Sequence, residues 1–137
     1  MGYYLEPYLA KVATIGRPIL IVDGFAGPGK FGDGELGSPL IICAKVQGLI
    51  ARFSKIDVLC FEAEPELVGV LESNLSKFPF ASCKPGTFLQ NLSSVDEKAA
   101  THTVFLYLDP FTVEGLEWKA LDHILARIKN SGMSVEL

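Results

Sequence analysis

The stretch from Ile19 to Gly37, ILIVDGFAGPGKFGDGELG, constrains this chain more than any other. Ile19–Val22 is a short run of branched apolar residues, of the kind that fits a strand buried on both faces. It ends at Asp23. Six glycines follow, at 24, 27, 29, 32, 34 and 37. Glycine-rich backbone can approach a ligand closely and take up positive φ. Ser38-Pro39 then opens a helical pattern, with Ser38 in position to cap it and Pro39 suited to its first turn. Strand, glycine turn, helix is the opening of a nucleotide-binding α/β unit.

The rest of the chain fits one such unit. Its 137 residues suffice for one domain with one core, and 49% hydrophobic with 20% charged residues marks a folding chain. No apolar run approaches the roughly 20 residues that span a bilayer, which predicts no membrane contact. No basic and apolar leader opens the chain. Cys43, Cys60 and Cys83 are widely spaced, with no Cys-x-x-Cys or His-rich pattern. That argues against a disulfide framework or zinc site and makes a reducing, cytoplasmic setting the expectation. The net charge of −4 supplies no overall basic footprint for nucleic acid, although an acidic protein can carry a local patch.

Taken in order, residues 3–14 carry Tyr4, Leu5, Tyr8, Leu9 and Val12 on one helical face, read as a helix covering a sheet edge. Leu40, Ile41, Ala44, Val46, Ile50 and Ala51 predict a packed helix over 38–53. Ile56–Phe61 reads as the second strand, with Asp57 at a solvated strand end and Glu62 closing it. Leu67, Val70, Leu71 and Leu75 give the buried stripe of a helix over 66–77. Pro79–Lys84 reads as a third strand, 87–100 as a loop with a weak helix, and Val104–Leu108 as a fourth strand ended by Asp109-Pro110-Phe111. Residues 115–129 repeat a helical pattern, with Trp118 assigned to the core, and Met133–Leu137 begins a fifth strand. Such alternation implies a mostly parallel sheet with helices on both faces. The apolar pattern still running at Leu137 suggests a fragment of a longer chain, with a sheet edge open to self-association.

Acids at the ends of strands one, two and four fall on the edge where open α/β sheets bind ligands. A carboxylate at Glu62 can accept both hydroxyl protons of a ribose. On its own, it reads first as an acid favouring a helix N-terminus; with the glycine turn one strand earlier, the ribose role is the better reading. Gly24 to Lys30 is one residue short of a P-loop, because Phe31 stands where Ser or Thr would ligate Mg²⁺. A Gly-x-Gly-x-x-Gly pattern exists at Gly27, Gly29 and Gly32, but it starts well beyond the strand end. Asp23-Gly-Phe25-Ala26-Gly27-Pro-Gly29 instead resembles the Asp/Glu-x-Phe-x-Gly-x-Gly motif of S-adenosylmethionine-dependent methyltransferases. The resemblance implies a Rossmann-like methyltransferase fold with strand order 3-2-1-4-5. It places the cofactor at Asp23, Phe25, Ala26, Gly27 and Gly29, and the cofactor's ribose at Glu62.

Leu108-Asp109-Pro110-Phe111 is similar to a shortened Asn/Asp-Pro-Pro-Tyr/Phe motif of amino-methyltransferases, with one proline absent. That resemblance makes Asp109, Pro110 and Phe111 the candidate catalytic residues. They would hold a base amine by two carbonyl-type acceptors and an aromatic stack. Together with Gly37-Ser38-Pro39, these stretches resemble the three-Cys-motif partner protein family over the front part of its members. The resemblance implies a partner protein bearing three cysteines, and nucleic acid as a possible substrate. His102 and His123 have no partner spacing and are assigned no chemistry. Two other classes stay open: a non-catalytic binding module of the same fold, and a nucleotide-binding NTPase or oxidoreductase.

Overall fold

The computed structural model describes residues 18–24, 26, 27, 29, 30, 32–50, 55–107, 126 and 134–136. The helical pattern read at 3–14 lies outside the described residues, as do the end of the one read over 38–53, from Ala51 on, and all of that read at 115–129, Trp118 and His123 included, except Ala126, which is helical and exposed.

Five strands form one sheet: β1 (Ile19–Asp23), β2 (Ile56–Glu62), β3 (Ala81–Pro85), β4 (Thr103–Tyr107) and β5 (Ser134–Glu136). They lie in the order β3-β2-β1-β4-β5, and every pairing is parallel. Branched and aromatic residues dominate β1, β2 and β4, and all five residues of β1 are buried. That is the expected character of strands covered on both faces. The connections carry α1 (Ser38–Leu49), α2 (Pro65–Leu75) and α3 (Leu92–Ala99).

Alternate residues along each strand divide the core in two. On one face, Ile19, Ile21, Val58 and Cys60 pack with Leu40, Ile42, Cys43, Val46 and Leu49 of α1 and with Leu71 and Leu75 of α2. On the other, Leu20, Val22, Phe61, Val104 and Leu106 pack with Phe88 and with Leu92, Val95 and Ala99 of α3. Phe61 and Phe88 meet tilted, with ring centroids 6.3 Å apart.

The helix faces differ from the sequence expectation. In α1 the buried residues are Pro39, Leu40, Ile42, Cys43, Val46 and Leu49, while Ile41, Ala44 and Ile50 are exposed. The segment is apolar nearly all round, so periodicity alone could not set the rotation of the helix. In α2, Leu71 and Leu75 are buried four residues apart, Leu67 is half-buried, and Val70 is 46% exposed. Nor does Ser38 cap α1: Gly37 occupies the cap position, and Ser38 is the first helical residue. Asp57 is exposed at the start of β2, as a solvated strand end should be.

Candidate ligand site at the carboxyl edge

The carboxyl ends of β1, β2 and β4 are stitched together by the glycine turn. The Gly24 N–H donates to the Tyr107 carbonyl at 3.1 Å, and the Ala26 N–H donates to the Phe61 carbonyl at 3.0 Å. The Gly27 N–H donates to Glu62 Oε2 at 2.7 Å. These three donors of the turn therefore point at neighbouring strand ends. The φ of +83° at Gly29 favours glycine, and an added Cβ would stand 3.2 Å from Leu71 Cδ1, which would have to give way.

Glu62 ends β2 and is only 9% exposed. Besides the Gly27 N–H on Oε2, it accepts the Glu64 N–H on Oε1 at 2.9 Å, at the start of α2. Each carboxylate oxygen has two lone pairs, so one remains on each. The carboxylate joins the glycine turn to the helix that follows β2 and keeps acceptor capacity for two further hydroxyl donors.

Asp23 ends β1 and is completely buried. Its Oδ2 accepts the Ser38 hydroxyl from the first residue of α1. Its charge also reaches the Cys43 thiol, which burial first and Asp23 second push up to about 12. Burial, with smaller contributions from Asp23 and the other two cysteines, raises Cys60 well above its ordinary range. Cys83 is raised by desolvation and by Glu72, to which its thiol is hydrogen-bonded. All three cysteines are free thiols. Among the described residues, no group of three or more His, Cys, Asp or Glu side chains is placed to hold a metal ion.

Between the turn and α1 the chain makes an excursion. Lys30 and Leu36 form an isolated antiparallel bridge, and the Gly37 N–H donates to the Gly29 carbonyl at 2.8 Å. At the tip, Asp33 Oδ1 accepts the Glu35 N–H at 2.9 Å. Residues 32–36 are exposed, as is Lys30. α1 thus begins nine residues after Gly29, and Lys30 sits on the excursion rather than at a helix start.

A further polar group lies beyond β3. The Thr87 N–H donates to Gln90 Oε1 at 2.9 Å, and the Gln90 N–H donates to Thr87 Oγ1 at 3.1 Å. The two reciprocal bonds close the turn that precedes α3, and the Thr-x-x-Gln spacing carries their signal in the sequence. Asn91 Nδ2 donates to the carbonyls of Pro85 and Thr87. The sequence reading of 87–100 as a loop with a weak helix missed this device. It likewise missed Ser38 as a partner of Asp23.

Of the residues expected to meet a cofactor, Asp23, Ala26, Gly27, Gly29 and Glu62 gather at this edge, with Asp23 and Ala26 buried. Phe25, Asp109, Pro110 and Phe111 lie outside the described residues. Among the described residues no helix is long and apolar enough to cross a membrane. No family model matches the chain, and no curated protein matches it.

Proposed function

We propose that this chain is an S-adenosylmethionine-dependent methyltransferase domain of Rossmann-like type, with an amino group of a nucleic-acid base as the acceptor class. The observation that carries this reading is the pairing of two buried carboxylates, Asp23 and Glu62, with a glycine turn whose donors at 24, 26 and 27 serve the protein itself. A phosphate cradle needs free backbone N–H groups aimed at the anion and a helix start directly behind them. Here the donors turn inward, a carboxylate stands beside them, and α1 starts only at Ser38. An anionic edge disfavours a polyphosphate and suits a ligand with a ribose diol and a positive charge.

Glu62 would take the ribose hydroxyls on its two remaining lone pairs, and the backbone at Gly27–Gly29 would lie beneath the ligand. S-adenosylmethionine supplies a methyl group activated on a sulfonium. The protein's share of the work is then largely to align the acceptor, and positioning is a large term in such transfers. Asp109 and the Pro110 carbonyl would accept the two N–H protons of an exocyclic amine, with Phe111 stacked on the ring. A base within a duplex would first have to be flipped out. Membership of the three-Cys-motif partner family, with a protein partner, belongs to this same proposal and rests on the motifs quoted above.

Calorimetric titration with S-adenosylmethionine, its demethylated product, ATP with Mg²⁺, and NAD tests the reading. Binding of the first two is the expected result. Binding of ATP alone, dependent on Mg²⁺, would replace it with an NTPase, and binding of NAD alone with an oxidoreductase.

A further inference from the structure

Ser38 follows the glycine turn by nine residues and stands at the first position of α1, where a serine hydroxyl ordinarily has no special duty. Its Oγ–H does not serve the helix start. It donates instead to Asp23 Oδ2, 15 residues back along the chain, at the point where β1 becomes the glycine turn. The preceding residue makes a matching contact at the other end of the turn, from the Gly37 N–H to the Gly29 carbonyl. The two backbones approach so closely that a Cβ on Gly37 would stand 3.2 Å from the Gly29 oxygen. Two consecutive residues therefore hold both ends of the Gly24–Gly29 turn, one through a buried carboxylate and one through the backbone.

A fully buried carboxylate needs hydrogen-bond donors, and losing one leaves a charged acceptor short of a partner. The cost falls where Asp23 meets the turn, not on the sheet ladders, which have their own backbone bonds. From this we infer that Ser38 is a positioning residue. Its hydroxyl fixes Asp23, and through Asp23 fixes the backbone of the glycine turn in the shape that receives a ligand. Ser38 itself does not touch that ligand. The effect on ligand affinity rests on the cofactor reading above, whereas the effect on the turn does not.

The test compares the unmodified chain with Ser38→Ala and Ser38→Thr by backbone amide exchange and by titration with the demethylated cofactor product. Ser38→Ala should raise exchange at least tenfold between Gly24 and Gly37 and leave the amides of β2 and β4 unchanged. It should weaken binding by about tenfold, the scale of one hydrogen bond to a charged acceptor. Ser38→Thr, which keeps the hydroxyl, should restore both. Unchanged exchange in Ser38→Ala overturns the inference. So does exchange raised equally across the whole sheet, or a Ser38→Thr chain that behaves like Ser38→Ala. If the unmodified chain binds none of this product, the cofactor reading fails, and the exchange comparison still decides the role of Ser38.

Discussion

Glu62 holds the turn, and in the proposed function it also holds a ribose; substitution tests both roles. Its carboxylate satisfies the N–H groups of Gly27 and Glu64. Glu62→Ala leaves both without that partner, so thermal stability should fall together with affinity. The affinity loss for S-adenosylmethionine should be roughly 1–3 kcal/mol, the range for hydrogen bonds to a charged acceptor. Glu62→Gln is the sharper probe, because a carboxamide would set its NH₂ against one of the two N–H donors. It should lose stability as well, in a melting experiment without ligand. Unchanged melting in both variants would contradict the clamp, and unchanged affinity would contradict the ribose role. Cys43 gives a prediction about pH. Its ordinary thiol value of 9.0 is pushed up to about 12 in the folded chain. Between these values the unfolded chain loses the proton while the folded chain keeps it. The unfolded state therefore binds fewer protons, and stability falls as pH rises. The contribution is fully present below pH 9, and the slope is about 1.4 kcal/mol per pH unit from this thiol alone. Denaturant unfolding at pH 8, 9 and 10 should show a shallower alkaline loss in Cys43→Ala than in the unmodified chain.

The helices carry their energy on faces that the structure identifies. On α2, Leu71 is fully buried against the first core, whereas the adjacent Val70 is largely exposed. Leu71→Ala should cost about 2–5 kcal/mol, and Val70→Lys should stay within about 0.5 kcal/mol, as surface changes do. Equal losses in urea unfolding would place the helix differently on the sheet. This contrast also shows where the sequence is legible. β-branched runs ended by acids mark β1 and β2 well, because a strand buried on both faces must be apolar throughout. The glycines and Asp23 likewise announce a strand end followed by a turn. Helix rotation is harder to read: α1 offers apolar residues on every side, and the sheet chooses among them. Partners far apart in sequence are harder still. Nothing local to Ser38 says that its hydroxyl belongs to Asp23. Likewise, nothing local to Gly27 says that its N–H meets Glu62, since only the parallel register of β1 and β2 brings them together. The reciprocal pair of Thr87 and Gln90, by contrast, was open to reading from spacing alone.

At the scale of the whole molecule, the sheet separates two apolar layers and gathers the polar chemistry at one edge. β4 lies beside β1, and Tyr107, its last residue, accepts the Gly24 N–H. β4 thus ends next to the glycine turn, and Asp109, two residues on in the sequence, is the proposed acceptor-binding group. Asp109→Ala should abolish methyl transfer to a nucleic-acid substrate and leave affinity for S-adenosylmethionine within a fewfold of the unmodified chain. Loss of both together would make Asp109 part of the cofactor site instead. The excursion from Lys30 to Leu36 bears on a different property, the chain's tolerance of variation. Its base is closed by the antiparallel bridge and by the Gly37 N–H on the Gly29 carbonyl, contacts that depend on glycine at 29 and 37 but on no side chain of the tip. Doubling the length of a closed flexible loop costs only about 0.6 kcal/mol. The tip around Asp33–Glu35 is therefore a natural graft point, where residues can be exchanged or inserted while the sheet and the edge beneath it keep their shape.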